Sequence, residues 1–172
     1  MSPKRFNIAH QIDNRIPALT QTKDLSDFIK DLKNDNRLET QTKRAVYLQI
    51  LSINRPMNTA STKWTDIDLK NALWTIPAQE MKTKTPHEVP LTRRMLKIIT
   101  EQRLFSGELS EFVFPANTIK GHINRDSIGK AIKNLGTKDK WHNKASSHGF
   151  RATFRTICSQ HKAELLELGI SE

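Results

Sequence analysis

The apolar positions of the chain fall into helical and strand-like rhythms. Leu25, Phe28, Ile29 and Leu32 recur at i, i+3, i+4 and i+7. That spacing lines one face of a helix, with Thr20 or Thr22 as the expected N-cap. Asn34, Asp35 and Asn36 follow as a turn. Val46, Tyr47, Ile50, Leu51 and Ile53 mark a second helix with a broad apolar stripe that stops before Pro56. Residues 67–76 read as a hairpin turning at residues 68–71, with Leu73, Trp74, Thr75 and Ile76 as its second strand. Residues 81–86 make another turn. The short strand after it, residues 87–91, carries Pro90 and is therefore expected at a sheet edge. Thr92 can cap a helix running through Leu96, Ile99 and Leu104 and closing near Gly107. Phe112, Val113 and Phe114 form a short apolar segment stopped by Pro115. Ile128, Ala131, Ile132 and Leu135 give a further helical stripe, with Gly136 at its end, and a last helix starts near His148. Residues 1–17, with Pro3 and Pro17, lack periodicity and read as a linker. No internal repeat is visible. The order predicts an α+β fold, mostly helical, with a small antiparallel sheet.

Length and charge sharpen the picture. The chain has 172 residues, enough for one domain with a sizeable core. No apolar run approaches the roughly 20 residues of a membrane span. The basic N-terminus has no apolar stretch behind it, so a secretory signal is not expected. The single cysteine, Cys158, rules out an internal disulfide and suits a reducing, cytoplasmic setting. The net charge is +10, which favours a polyanion, nucleic acid ahead of an anionic membrane. The excess is concentrated. Lys120, Arg125, Lys130, Lys133, Lys138, Lys140, Lys144, Arg151 and Arg155 face only Asp126 and Asp139 within residues 120–155, a net of +7. Such a segment can follow a phosphate backbone; the plainer reading is a solvated basic face. No His or Cys pair has metal-ligand spacing, and neither a glycine-rich phosphate loop nor a nucleophile elbow occurs. Metal and organic cofactors are thus not expected. Trp64 and Trp74 read as core residues, whereas Trp141, in the basic loop, is a candidate to stack on a sugar or base.

The segment from His148 to Thr156 carries the clearest chemistry. On a helix at about 100° per residue, His148, Arg151 and Arg155 fall within about 60° of one another. Phe150, Phe154, Ile157 and Cys158 gather on an adjoining face, expected to pack inward. An imidazole at a helix start with a guanidinium one turn on makes a good phosphate clamp. The alternative is an exposed basic face that His148 merely caps.

Residues 146–153, Ser-Ser-His-Gly-Phe-Arg-Ala-Thr, resemble the His-x-x-Arg box of the phage integrase family, the tyrosine site-specific recombinases, in its prophage branch. Other boxes follow in the family's order. Residues 50–56 are similar to the first-arginine box. Residues 64–68 and 72–77 resemble the next hairpin. Residues 81–83 with 86–91 resemble the lysine hairpin, and residues 112–115 the segment before the basic helix. The resemblance implies a tyrosine-recombinase catalytic domain that breaks and rejoins DNA strands without metal. In it Arg55 and Arg151 hold the scissile phosphate, Lys82 protonates the leaving 5′-hydroxyl, and His148 bonds the phosphate or assists proton movement. Lys84 is a nearby rival for the lysine role. Lys84, Arg125, Lys130, Lys133, Lys140, Lys144 and Arg155 are the expected contacts to double-stranded DNA.

Two departures accompany the match. The first-arginine box usually has Gly two residues before the arginine and an acid three after it; here stand Ile53 and Asn58. The family's nucleophilic tyrosine follows a second His or Trp beyond the His-x-x-Arg box, and the terminal helices that carry it are expected to be missing from this chain. The only tyrosine, Tyr47, lies on the second helix's apolar stripe. Residues 18–172 are therefore expected to be a partial catalytic domain, and residues 1–17 the tail of an absent core-binding domain. Family members assemble as tetramers on DNA; this piece is expected to be monomeric and inactive alone. The alternative is a non-catalytic DNA-binding remnant or the pseudogene product of a prophage integrase.

Overall fold

The computed structural model describes residues 16–137 and 140–169. Most of the expected linker, together with Lys138 and Asp139 of the basic stretch, lies outside the described residues. Helix α1 spans Thr22–Asn34 and buries Phe28 and Leu32. Its N-cap is Gln21, with no side-chain cap; neither Thr20 nor Thr22 takes that place. Lys23 and Asp27 pair at 2.9 Å one turn apart at its start. Helix α2, Thr40–Ser52, buries Ala45, Val46, Leu48 and Gln49. Ile53 is not part of it. That residue closes the helix in the left-handed region, with φ of 55°, and its amide donates to the Gln49 carbonyl at 3.1 Å. Pro56 then opens the short helix α3, Pro56–Ala60, where a missing N–H is harmless.

The sheet is antiparallel. Strands β1 (Ile67–Asp68), β2 (Leu73–Ile76) and β3 (His87–Pro90) lie in the order β1-β2-β3. Trp74 pairs with Ile67 on one side and with Val89 on the other, and its side chain is fully buried. Pro90 does lie on an edge strand, where a lost donor leaves no ladder partner unpaired. Helix α4, Arg93–Ser106, is capped as expected, the Thr92 hydroxyl accepting from the Met95 amide at 3.4 Å. Leu104, expected on its packed face, is instead 88% exposed. Helix α5, Arg125–Lys133, is capped by Asn124. Helices α6 (Gly149–Gln160) and α7 (Lys162–Glu167) end the described chain. The whole is mostly helical with one small sheet, an α+β fold. Among the described residues no helix is long and apolar enough to cross a membrane.

Helix α2 is the central strut, packed against α3, α4 and α5. An aromatic cluster ties α1 to the C-terminal part. The Phe28 ring meets Trp141 at 5.4 Å and Phe150 at 5.3 Å, both edge-on, an arrangement that aromatic quadrupoles favour. Trp141 is 3% exposed and donates through Nε1 to Asp31 at 2.8 Å. It is a core residue, and the expectation of a stacking platform is corrected. Helix α6 is also rotated from its expected orientation. Phe150 and Thr153 are buried, while Phe154 is 54% exposed. The reason is the segment ahead of α1, which lies along α6: the Leu19 amide donates to Thr153 Oγ1 at 2.9 Å, and the Ser146 hydroxyl donates to the Pro17 carbonyl at 3.0 Å.

Candidate nucleic-acid interface

A cleft of about 660 Å³ opens where α3, α5 and the start of α6 converge. Arg55, Arg125, Lys130, Lys133 and His148 line it, with Asp126 as the one carboxylate. Each arrives by a local device. Arg55 occupies the N-cap position of α3, just after the left-handed turn at Ile53. Gln49, wholly buried, fixes that turn: its Nε2 donates to the Asn54 carbonyl, and its Oε1 accepts from the Thr59 hydroxyl at 2.8 Å. Arg125, Lys130 and Lys133 come from one amphipathic helix whose other face buries Ile128, Ala131 and Ile132. Gly129 lies on the cleft side of that helix, and a Cβ there would sit 3.6 Å from Ser147 Oγ.

His148 stands at the N-cap of α6 with helical backbone angles and makes no capping bond. The cap is supplied by Ser146, whose hydroxyl accepts from the Gly149 amide at 2.9 Å. So the reading in which His148 merely caps the helix does not hold, and its exposed imidazole is left facing the cleft. Sequence reasoning passed over Ser146, although a serine three residues before a helical amide is a capping signal. It also passed over Ser147, which lines the cleft, is 7% exposed, and has no partner for its buried Oγ. Serine is common in turns, so no sequence pattern singled it out.

Arg125 makes a loose contact with Asp126, at 3.6 Å. No ion pair among the described residues engages Arg55, Lys130, Lys133 or His148. Asn58 does not support Arg55. It is buried on α3, and its amide reaches the Glu80 carbonyl at 3.5 Å; the Glu80 carboxylate accepts from Ser61 at 2.9 Å. The arrangement is a concave surface with several unneutralised donors, suited to a polyanion's phosphates.

The remaining candidates lie outside the cleft lining. Arg151 and Arg155 are exposed on α6, one and two turns beyond His148. Lys82 and Lys84 are exposed on the turn between β2 and β3, Lys84 with φ of 57°. Lys140 is engaged elsewhere: it pairs with Asp31 at 2.9 Å and sits over the Trp141 ring at 4.8 Å. Lys144 borders a separate hollow of about 1050 Å³ beside Pro17 and Leu19. Tyr47 is half-buried, and its hydroxyl donates to the Ile29 carbonyl at 3.4 Å. Burial holds that phenol above its ordinary pKa. Among the described residues no group of His, Cys, Asp and Glu could hold a metal ion.

The described residues thus set a basic cleft on an α+β scaffold of seven helices and one three-stranded antiparallel sheet. Residues 19–168 match the phage integrase family, and the chain belongs to it. It is 34% identical over 133 residues to prophage integrase IntZ of Escherichia coli (strain K12), covering 77% of this chain and 31% of that protein. It is 31% identical over 114 residues to the integrase of Shigella phage Sf6, covering 64% and 29% respectively. The chain thus spans about a third of the length of these curated relatives. The fold is also that of XerA recombinase, with a TM-score of 0.66 at 17% identity, covering 86% of this chain and 52% of that one. The Tn1549 transposon integrase in complex with circular intermediate DNA gives a TM-score of 0.62 at 12% identity, covering 92% and 57%.

Proposed function

We propose that this chain is a partial catalytic domain of a DNA integrase, and that its cleft holds a backbone phosphate of double-stranded DNA during strand breakage and rejoining. The observation that carries the reading is the convergence of Arg55 and His148, from distant segments, on one cleft with the α5 cations. Arg55 and Arg151 bond the non-bridging phosphate oxygens and stabilise the charge that grows in the pentavalent transition state. His148 donates to the same phosphate. Lys82 carries a proton to the leaving 5′-hydroxyl. A tyrosine hydroxyl attacks phosphorus and keeps the bond energy in a 3′-phosphotyrosyl link. Tyr47 is bonded inward, away from the cleft, so that hydroxyl comes from outside these residues. Lys84, Arg125, Lys130, Lys133, Lys144 and Arg155 contact flanking phosphates, whereas Lys140, tied to Asp31, does not. In this reading the isolated chain is monomeric, acts in the cytoplasm where its DNA lies, and joins others only on DNA.

A second reading, a DNA-binding remnant without chemistry, draws on the position of Lys82 and Arg151 outside the cleft lining and on Asn58 in place of an acid. One titration separates the two. Anisotropy of a labelled duplex should show an affinity falling with salt at a log–log slope of about −0.9 per phosphate neutralised. Arg55→Ala or Arg151→Ala should weaken binding about 10- to 100-fold, as expected for charged hydrogen bonds, and Lys133→Ala much less. Equal small losses from all three favour the remnant; a flat salt response removes DNA altogether.

A further inference from the structure

Outside the cleft, the sharpest mismatch between chemistry and exposure lies in the turn between Pro115 and His122. These two residues form an isolated antiparallel bridge. Inside it the Ala116 amide donates to the Gly121 carbonyl at 3.1 Å, and the Gly121 amide to the Thr118 carbonyl at 2.9 Å. The Thr118 hydroxyl donates to the His122 carbonyl at 2.9 Å. Gly121 has φ of 75°, and a Cβ there would lie 3.1 Å from the Phe112 ring. The turn therefore rests directly on that ring. The buried His122 ring also leans on Phe112, at 5.0 Å. Lys63, paired with Glu111 at 2.8 Å, stands over Phe112 at 5.3 Å. The turn is thus braced from within and from below.

At its tip Ile119 is 108% exposed, between the exposed Thr118 and Lys120. A single exposed isoleucine needs no explanation. This one is held out on a braced support, and that support borders a hollow of about 490 Å³ which shares Met57, Arg125 and Asp126 with the basic cleft. No Asp or Glu occurs from residue 116 to residue 125. Around that hollow Lys120 and Arg125 face the single carboxylate of Asp126, so the tip is an apolar point on a net cationic surface, continuous with the surface assigned to DNA.

We propose that Ile119 is an apolar wedge that enters a base step of the duplex beside the phosphate held in the cleft, with Lys120 on an adjacent phosphate. The proposal rests on the DNA-binding reading above. Apolar side chains pressed between base pairs unstack and kink the duplex, and the energy is recovered through the extra surface the bent DNA covers. Only a stiff support can deliver such a side chain without folding back. Pyrimidine–purine steps unstack most readily and are the expected point of entry.

The test uses the full chain at low salt and a short duplex of alternating T-A steps in which adenines are replaced by 2-aminopurine. That base brightens when it is unstacked. Binding of the unmodified protein should raise the emission. Ile119→Ala should lose that rise and bind about tenfold or more weakly, the burial of one isoleucine. It should melt as the parent does, because a side chain this exposed packs against nothing. Lys120→Ala should weaken binding yet keep the rise at saturation. Full binding without a rise, or an equal rise from Ile119→Ala, overturns the wedge and leaves the phosphate cleft standing. The wedge would then give way to a protein-facing role for the tip. If the parent protein binds no DNA, the cleft reading fails and the wedge with it.

Discussion

Gly149→Ala tests how the start of α6 is built. A Cβ at Gly149 would sit 1.8 Å from the Pro17 carbonyl oxygen and 2.8 Å from Ser146 Oγ. A carbonyl cannot stay that close to a methyl group, so the segment ahead of α1 must lift off α6. Two hydrogen bonds are put at risk: Ser146 to Pro17 at 3.0 Å and Leu19 to Thr153 at 2.9 Å. Overpacking costs about 1–3 kcal/mol, and each lost hydrogen bond about 1 kcal/mol. Alanine returns up to about 1 kcal/mol of helix propensity. The net loss is then about 2–4 kcal/mol, or a fall in Tm of roughly 5–15 °C for a domain of this size. Urea and thermal unfolding measure it. A second background makes the argument specific: with residues 1–19 deleted the obstructing carbonyl is gone, only the rotatable Ser146 hydroxyl stays close, and the loss from the same substitution should shrink to about 1 kcal/mol or less. This is a double-mutant cycle between a helix residue and a chain segment. Equal losses in both backgrounds would refute the packing account and leave only an effect within the helix.

Two further outcomes follow from the backbone and from one carboxylate. Ile53 is β-branched yet has φ of 55°, a region that costs L-residues about 1–2 kcal/mol; Ile53→Gly should hold or raise the urea midpoint despite the lost half-buried side chain, and a clear fall would show that its packing outweighs the strain. Asp35 accepts from Arg37 at 2.6 Å and from the Arg37 and Leu38 amides, which, led by the guanidinium, hold its pKa at about 2, below the ordinary 3.8. A depressed carboxylate stabilises the fold above its unfolded pKa and loses that contribution as pH falls through the folded one. The stability gap between the parent and Asp35→Asn should therefore be full at neutral pH and close between about pH 4 and pH 2; a gap that is constant with pH would exclude this linkage.

Much of the fold was legible because its signals are local. Thr92 ahead of a helical stripe, Pro90 in a short strand and Pro56 after an apolar run each have one low-energy reading, and the structure follows all three. The first-arginine and His-x-x-Arg boxes located Arg55 and His148, and the structure sets both on one cleft. What escaped was decided at a distance. Trp141 reads as a loop residue until α1 supplies Asp31 as its hydrogen-bond partner and Phe28 as its neighbour. Phe154 has the right spacing for a packed face, but the chain around Leu19 claims the side of α6 that holds Thr153. Leu104 has helical spacing as well; α4 simply has no neighbour at that point. Periodicity names the apolar residues, and only the tertiary partner decides which of them are covered.

The proposed roles divide between rigid and less supported parts of the scaffold, and the division makes chemical sense. Arg55 follows a turn that is fixed from inside by Gln49, and Lys130 and Lys133 stand on a helix whose opposite face is fully packed. Groups that stabilise developing charge act best when they need not reorganise during the reaction. Lys82 belongs to an exposed turn in which the Lys84 amide reaches the Met81 carbonyl at 3.1 Å and the Thr85 hydroxyl reaches the Thr83 carbonyl at 3.4 Å. A proton donor has to meet its leaving group only at the moment of transfer, so a side chain on such a turn can serve from outside the cleft lining. Arg151 is one helical turn beyond His148, exposed and on the same helix. On the proposed reading, a duplex seated on the cleft must also run along the exposed face of α6 for Arg151 to join the grip. The proposed grip therefore asks Arg55 and His148 to hold the phosphate from within the cleft, and Lys82 and Arg151 to reach it from outside the lining.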